Sequence, residues 1–158
     1  MGGLALGNVL FGILADRTSR PLAWYAYLEI GIGLYALIFP FYYELVHDLY
    51  LSTARGMNPG GGGLLTLKFI FSLATILIPT ILMGGTLPLL TRLLTRSLTD
   101  LRGNVAALYF INSAGAVAGT WFADFVLLEA IGLEATGHAA AAVNLAVGLA
   151  ALGFSARM

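Results

Sequence analysis

A chain of 158 residues with 59% hydrophobic and only 10% charged side chains cannot present a water-facing surface all round, since ordinary soluble domains carry roughly 25% charge. The composition is that of a polytopic membrane protein. A formal charge of zero leaves no basic field for nucleic acid, and the absence of cysteine removes disulfides, thiolate nucleophiles and cysteine metal sites. His47 and His138 lie too far apart in sequence to suggest a ligand pair, so neither a metal nor a cofactor is expected.

Five apolar segments follow one another, predicting an all-α integral membrane fold in a single domain over 1–158. The first, residues 1–15, is shorter than the roughly 20 residues a spanning helix needs and has neither the charged start nor the cleavage site of a signal peptide. The second, 22–40, is long enough to cross, carries Trp24, Tyr25 and Tyr27 near one end and is stopped by Pro40. An exterior interfacial helix is expected over 41–55, with Tyr42, Leu45, Val46 and Leu49 on its apolar face and Glu44, His47 and Asp48 turned elsewhere.

The run NPGGGG that follows, 58–63, reads as a flexible hinge and not as a phosphate loop, because nothing like the lysine and hydroxyl of a P-loop comes after it. The third span, 64–94, is interrupted by Pro79, Gly84, Gly85 and Pro88, which predicts a kinked or broken helix. The fourth, 104–128, and the alanine-rich fifth, 139–154, are apolar all round.

Basic residues alternate between connections. Arg17 and Arg20, then Arg92, Arg96 and Arg102, then Arg157 mark one side; Glu44, His47, Asp48 and Arg55, and separately Glu129, Glu134 and His138, mark the other. The positive-inside rule places loops 16–21 and 92–102 and the C-terminus in the cytoplasm. The same alternation puts the first residue outside or in mid-membrane, so a preceding helix is expected.

Polar residues within spans need a physical reason, and Asn8, Glu29, Asn112, Asp124 and Asn144 are the instances. Glu29, Asn112 and Asp124 form the candidate intramembrane site. Glu29, near the middle of the second span, must be protonated, hydrogen-bonded or facing a water-filled cavity. It would bind a proton or an organic cation, or serve as a structural hydrogen-bond donor between helices. Lys68 reads as a side chain snorkelling to the exterior interface. Gly3 with Gly7, and Gly115 with Gly119, have GxxxG spacing, extended by Ala114 and Ala118, and are candidate helix-packing positions within the chain or between chains.

Three blocks, the first 40 residues, PTILMGGTLPLLTR (79–92) and LYFINSAGAVAGTWFADFVLLEAIGLEATG (108–137), together resemble the membrane part of bacterial fused major-facilitator and spermidine-synthase-like proteins. In that family a helix precedes the first block and a soluble aminopropyltransferase-like domain commonly follows the membrane part. The resemblance implies about five transmembrane helices arranged like half of a major facilitator bundle, in a bacterial inner membrane. It also implies a non-catalytic membrane domain that anchors or serves an enzyme domain lying outside this sequence, and polyamine as a ligand class. No catalytic residue is transferred.

Within the same resemblance Gly12, Asp16, Arg17 and Arg20 match the loop motif between the second and third helices of major facilitator transporters, Ser19 replacing its second glycine. The motif implies that Gly12 permits close helix approach, Asp16 meets a neighbouring helix end, and the arginines fix a cytoplasmic turn. Two other functions stay open: an accessory subunit packed against a larger membrane assembly, respiratory or photosynthetic, and a half-transporter for a small solute or polyamine. The bilayer is the expected solvent, and other membrane helices or subunits are the expected partners.

Overall fold

The computed structural model describes residues 1–57, 61–95 and 98–157, and these are helical except at short connections. The elements are α1 (Gly2–Arg17), α2 (Pro21–Met57), α3 (Gly61–Leu94), α4 (Leu98–Phe122), a π-helical segment (Ala123–Leu127) and α5 (Leu128–Ser155). Three helical stretches, Pro21–Gly56, Gly61–Leu94 and Gly103–Ser155, the last interrupted at Gly132, are long and apolar enough to cross a membrane.

The first turn of the chain follows from local chemistry. Thr18 leaves the helical region at φ −87° and ψ 140°, its backbone N–H still donates to the Leu14 carbonyl, and Pro21 opens α2 where a missing N–H is harmless. The Thr18 hydroxyl accepts from the Arg20 backbone N–H at 3.1 Å. At the far end of the chain's last reversal, Gly132 adopts φ 80° and ψ 174°, a conformation open to glycine and costly for other residues. The chain bends there, within α5.

Helix α2 runs antiparallel to α3 and α5, whereas α1 runs parallel to α3, Gly3 meeting Thr80 and Phe11 meeting Gly85. Gly85 packs against Leu28 while the Tyr35 hydroxyl meets Thr75, so α3 descends as α2 rises; Gly33 meets Ala141 while Gly148 meets Ala26, so α5 also opposes α2. Extensive contacts join α1 to α3, α3 to α2 and α2 to α5, whereas α4 touches α3 lightly. The Asn104 side-chain amide donates to the Leu94 carbonyl at 2.8 Å and ties the start of α4 to the end of α3. Ala15, Leu28 and Leu89 form the buried centre with Phe11, Tyr25 and Leu82 around them.

Two helices are longer than the sequence pattern predicts. The segment 22–40 and the expected interfacial helix 41–55 are one helix of 37 residues, running straight through Pro40. A proline removes one intrahelical bond but its fixed φ is that of a helix, so the helix continues across it. Leu45 is 66% exposed and Leu49 55%, and Phe39, Tyr43, Val46, His47 and Tyr50 border a cleft shared with α3. His47 is exposed and lies on the wall of that cleft.

Helix α3 likewise continues across Pro79, Gly84, Gly85 and Pro88 instead of breaking. Pro79 has no N–H for the carbonyl of Thr75, one turn earlier, and the Tyr35 hydroxyl donates to that carbonyl at 2.6 Å. An α2 side chain thus replaces a missing bond of α3. Tyr35→Phe is expected to lower stability by about 1–2 kcal/mol, because it strands an acceptor in an apolar setting. Unfolding in mixed micelles measures this, and an unchanged midpoint would show that the bond contributes nothing.

Residues 61–63 of the predicted hinge belong to α3, and residues 58–60 lie outside the described residues. Arg96, in the second basic connection, lies outside them too.

Small residues set the closest approaches. A methyl group at Gly7 would strike the Ile81 carbonyl and stand 3.0 Å from Gly84 Cα, and one at Gly3 would run into Thr80. Gly33 comes within 3.0 Å of the Ala141 carbonyl by the same measure, and Gly148 within 3.0 Å of the Ala26 carbonyl. Backbones this close maximise dispersion contact where lipid supplies no hydrophobic drive. Gly115 and Gly119 differ: nothing lies within 4 Å of either position.

Candidate functional site

Helices α1, α3, α4 and α5 each bring a polar residue to the depth of Glu29. Counting along the helices, Glu29 lies roughly 12 Å from the start of α2 at Pro21, and Asn8 a similar distance from the end of α1. Both levels fall well inside a hydrocarbon layer about 30 Å thick. A cavity of about 470 Å³ opens there.

All five helices line this cavity. Leu4 and Asn8 come from α1, Glu29 and Ile32 from α2, Met83, Gly84, Thr86 and Leu87 from α3, Tyr109 and Asn112 from α4, and Asn144 from α5. One carboxyl group, three carboxamides and two hydroxyl-bearing side chains therefore share one space with apolar side chains of α1, α2 and α3. Carboxamides both donate and accept, so the wall can stabilise a neutral carboxyl or complete the solvation of a bound cation. The Tyr25 hydroxyl, one turn before Glu29, approaches the same carboxyl. Asn144 also donates to the Ala140 carbonyl of its own helix at 3.1 Å.

The chain folds this way for identifiable reasons. Glycine at 84 lets α1 come close enough for Asn8 to reach the level of Glu29. Pro88, lacking an N–H, leaves the Gly84 carbonyl without its helical donor, and Gly84 itself borders the cavity. A polar space beside a proline-interrupted helix is the setting in which freed backbone carbonyls are tolerated in membranes.

A second cavity, about 490 Å³, adjoins the first and shares Asn8, Leu87 and Tyr109 with it. Gly12, Ala15 and Asp16 of α1 face Pro88, Thr91, Arg92 and Thr95 of α3 across this space, with Val105 of α4 beside them. Asp16 thus stands beside the last turn of α3, and an acidic and a basic side chain share the entrance. The Thr95 hydroxyl is buried and finds no hydrogen-bond partner among the described residues. Arg17 and Arg20 are exposed at the adjoining turn. Among the described residues nothing lies within 4 Å of a methyl group placed at Gly12.

Of the three residues in the predicted intramembrane site, Glu29 and Asn112 meet and Asp124 stands apart. Asp124 lies in the π-helical segment beside Thr120, Trp121 and Phe125, in a shallow surface cleft. The extra residue of a π-turn changes which face it presents, which a constant helical period does not anticipate. Thr86 and Tyr109 are site residues that the sequence reading passed over. The signal for Tyr109 was its spacing, three residues before Asn112 and so on the same helical face. No protein-family model, curated protein or solved structure matches this chain.

Proposed function

We propose that this chain is the membrane domain of a polyamine-related, spermidine-synthase-like protein, and that the cavity around Glu29 holds a cationic amine. The convergence of all five helices on one carboxyl group and three carboxamides carries this reading. An ammonium ion brings the charge that a carboxylate at this depth lacks, and the carboxamide oxygens accept its remaining N–H bonds. The apolar remainder of the lining suits the methylene chain of an alkylamine. In this reading the chain crosses a bacterial inner membrane five times, with the Arg17/Arg20 turn cytoplasmic, and the cavity beside Asp16 is the approach from that side. The chain carries no catalytic residue, and the chemistry belongs to an enzyme domain outside the sequence.

Calorimetric titration of the purified chain in lipid nanodiscs with spermidine, putrescine and an uncharged diol of matching length tests the proposal. Saturable binding of the amines without binding of the diol is expected. Binding of neither amine at millimolar concentration, or equal binding of the diol, would sink it.

A second reading draws on α4, where Phe110 is 74% and Val117 73% exposed and the glycines Gly115 and Gly119 are open. An accessory subunit would set this face against a larger membrane assembly. Migration as a lone monomer after extraction from native membranes in mild detergent excludes that role, and persistent co-migration with a large complex supports it.

A further inference from the structure

The ends of α2 and α3 remote from the Arg17/Arg20 turn extend well beyond the polar cavity and enclose a second, chemically different space. A cleft of about 500 Å³ runs between Phe39, Tyr43, Val46, His47 and Tyr50 of α2 and Lys68, Phe71, Ser72, Thr75 and Ile76 of α3. Tyr43 and His47 stack with ring centroids 6.1 Å apart, and Tyr50 meets Phe71 edge-on at 5.8 Å. Lys68 is the only lysine in the sequence. No carboxylate lines the cleft among the described residues; Glu44 and Asp48, on the same stretch of α2, are absent from its wall.

Depth separates the two ends of this cleft. Phe39 lies roughly 27 Å along α2 from Pro21, near the limit of a hydrocarbon layer about 30 Å thick. Lys68 lies roughly 39 Å along α3 from Leu94, within the headgroup layer that brings a bilayer to about 40–45 Å. Phe39, Thr75 and Ile76 therefore stand at acyl-chain level, and Lys68, His47, Tyr50 and Ser72 at headgroup level.

We propose that this cleft binds one phospholipid with an anionic headgroup, its phosphate facing Lys68 and Ser72 and its acyl chain lying along Phe39 and Ile76. Charge complementarity selects the headgroup: a lysine ammonium without a neighbouring carboxylate attracts anionic lipid. The aromatic pairs form a rigid wall at the level where tyrosine is favoured, ring in the acyl region and hydroxyl among headgroups. The site shares no residue with the Glu29 cavity and does not depend on its occupant.

Native mass spectrometry of the full chain, delipidated in an uncharged detergent, tests this. The chain is titrated separately with phosphatidylglycerol and with phosphatidylcholine of the same acyl composition, and inorganic phosphate is added as a competitor. One phosphatidylglycerol is expected to be retained in preference to phosphatidylcholine. Lys68→Gln should weaken its retention about fivefold, the effect of one basic residue at an anionic surface. Lys68→Arg should restore it, with phosphatidylcholine unaffected throughout. Equal retention of the two lipids, or no change in Lys68→Gln, would overturn the proposal. Displacement of phosphatidylglycerol by phosphate at matching concentration would assign the cleft to a soluble anion instead and overturn it equally.

Discussion

Replacement of Gly7 by leucine is expected to separate α1 from α3 and to cost about 3 kcal/mol or more, the upper range for overpacking a close contact. The obstacle is backbone, not a movable side chain. Even a methyl group would meet the Ile81 carbonyl and the Gly84 Cα at 3.0 Å, and the reciprocal methyl at Gly84 would meet Leu4 Cα at 2.9 Å. Neither helix can yield by rotating a side chain, so one must move away. Gly115→Leu is the control, because nothing lies within 4 Å of Gly115, and it should change stability by no more than about 0.5 kcal/mol. Reversible unfolding in mixed micelles, followed by circular dichroism, compares the two. Equal losses would show that α1 and α3 do not touch at Gly7. Because α1 carries Asn8, any fraction of Gly7→Leu that folds should also bind amine poorly.

Glu29→Gln is expected to weaken amine binding at least about thirtyfold, corresponding to about 2 kcal/mol at the lower end of measured losses when one member of a buried charge pair is removed. Glutamine keeps the length and the hydrogen-bonding capacity of the side chain, so the helix packing around Ala26 and Leu28 should persist and the unfolding midpoint should stay within experimental scatter. A structural role for Glu29 predicts the reverse pattern, with lost stability and unchanged binding. Asn112→Leu separates the contributions further, since it removes one carboxamide from the cavity wall and leaves the carboxyl in place. Its effect on binding should fall between those of the unaltered chain and Glu29→Gln, as expected for one neutral hydrogen bond against one charge pair.

The helical membrane character was legible from composition alone, because apolar segments of this length have no other way to satisfy their backbone groups in lipid. The polar residues inside those segments were legible too, but their meeting was not. Nothing in the spacing between Asn8, Glu29, Asn112 and Asn144 states that four helices bring them to one depth; that follows from close packing at Gly7, Gly33, Gly84 and Gly148, of which only the first belonged to a recognised GxxxG pair. Asp124 was grouped with Asn112 because both are polar in one apolar run, although it lies nearer the exterior end, and the π-turn sets it on a different surface.

Pro40 misled as a stop, since its helix runs on to Met57; Pro79, read as a kink or a break, lies in a helix that does not break, although in water the carbonyls it releases would find solvent. Within hydrocarbon they find none, so the helix is retained and the missing bond is replaced locally or from a neighbour. The donation from Tyr35 to the Thr75 carbonyl is such a replacement, and it joins residues forty positions apart. A proline in an apolar run therefore predicts a polar partner on an adjacent helix, and the sequence offers several tyrosines among which only packing chooses.

The absence of cysteine makes the central claim directly testable by introduced thiols. Asn144 borders the Glu29 cavity, whereas Val143, at the same depth on α5, is 64% exposed on the outside of the bundle. Single-cysteine variants at the two positions, reconstituted in vesicles and exposed to a charged, membrane-impermeant thiol reagent, report whether water and ions reach the cavity. Asn144→Cys should react readily and be protected by spermidine, while Val143→Cys, facing lipid, stays unmodified. Equal inertness at both positions would mean that Glu29 lies in a dry helix interface and that no cationic ligand reaches it.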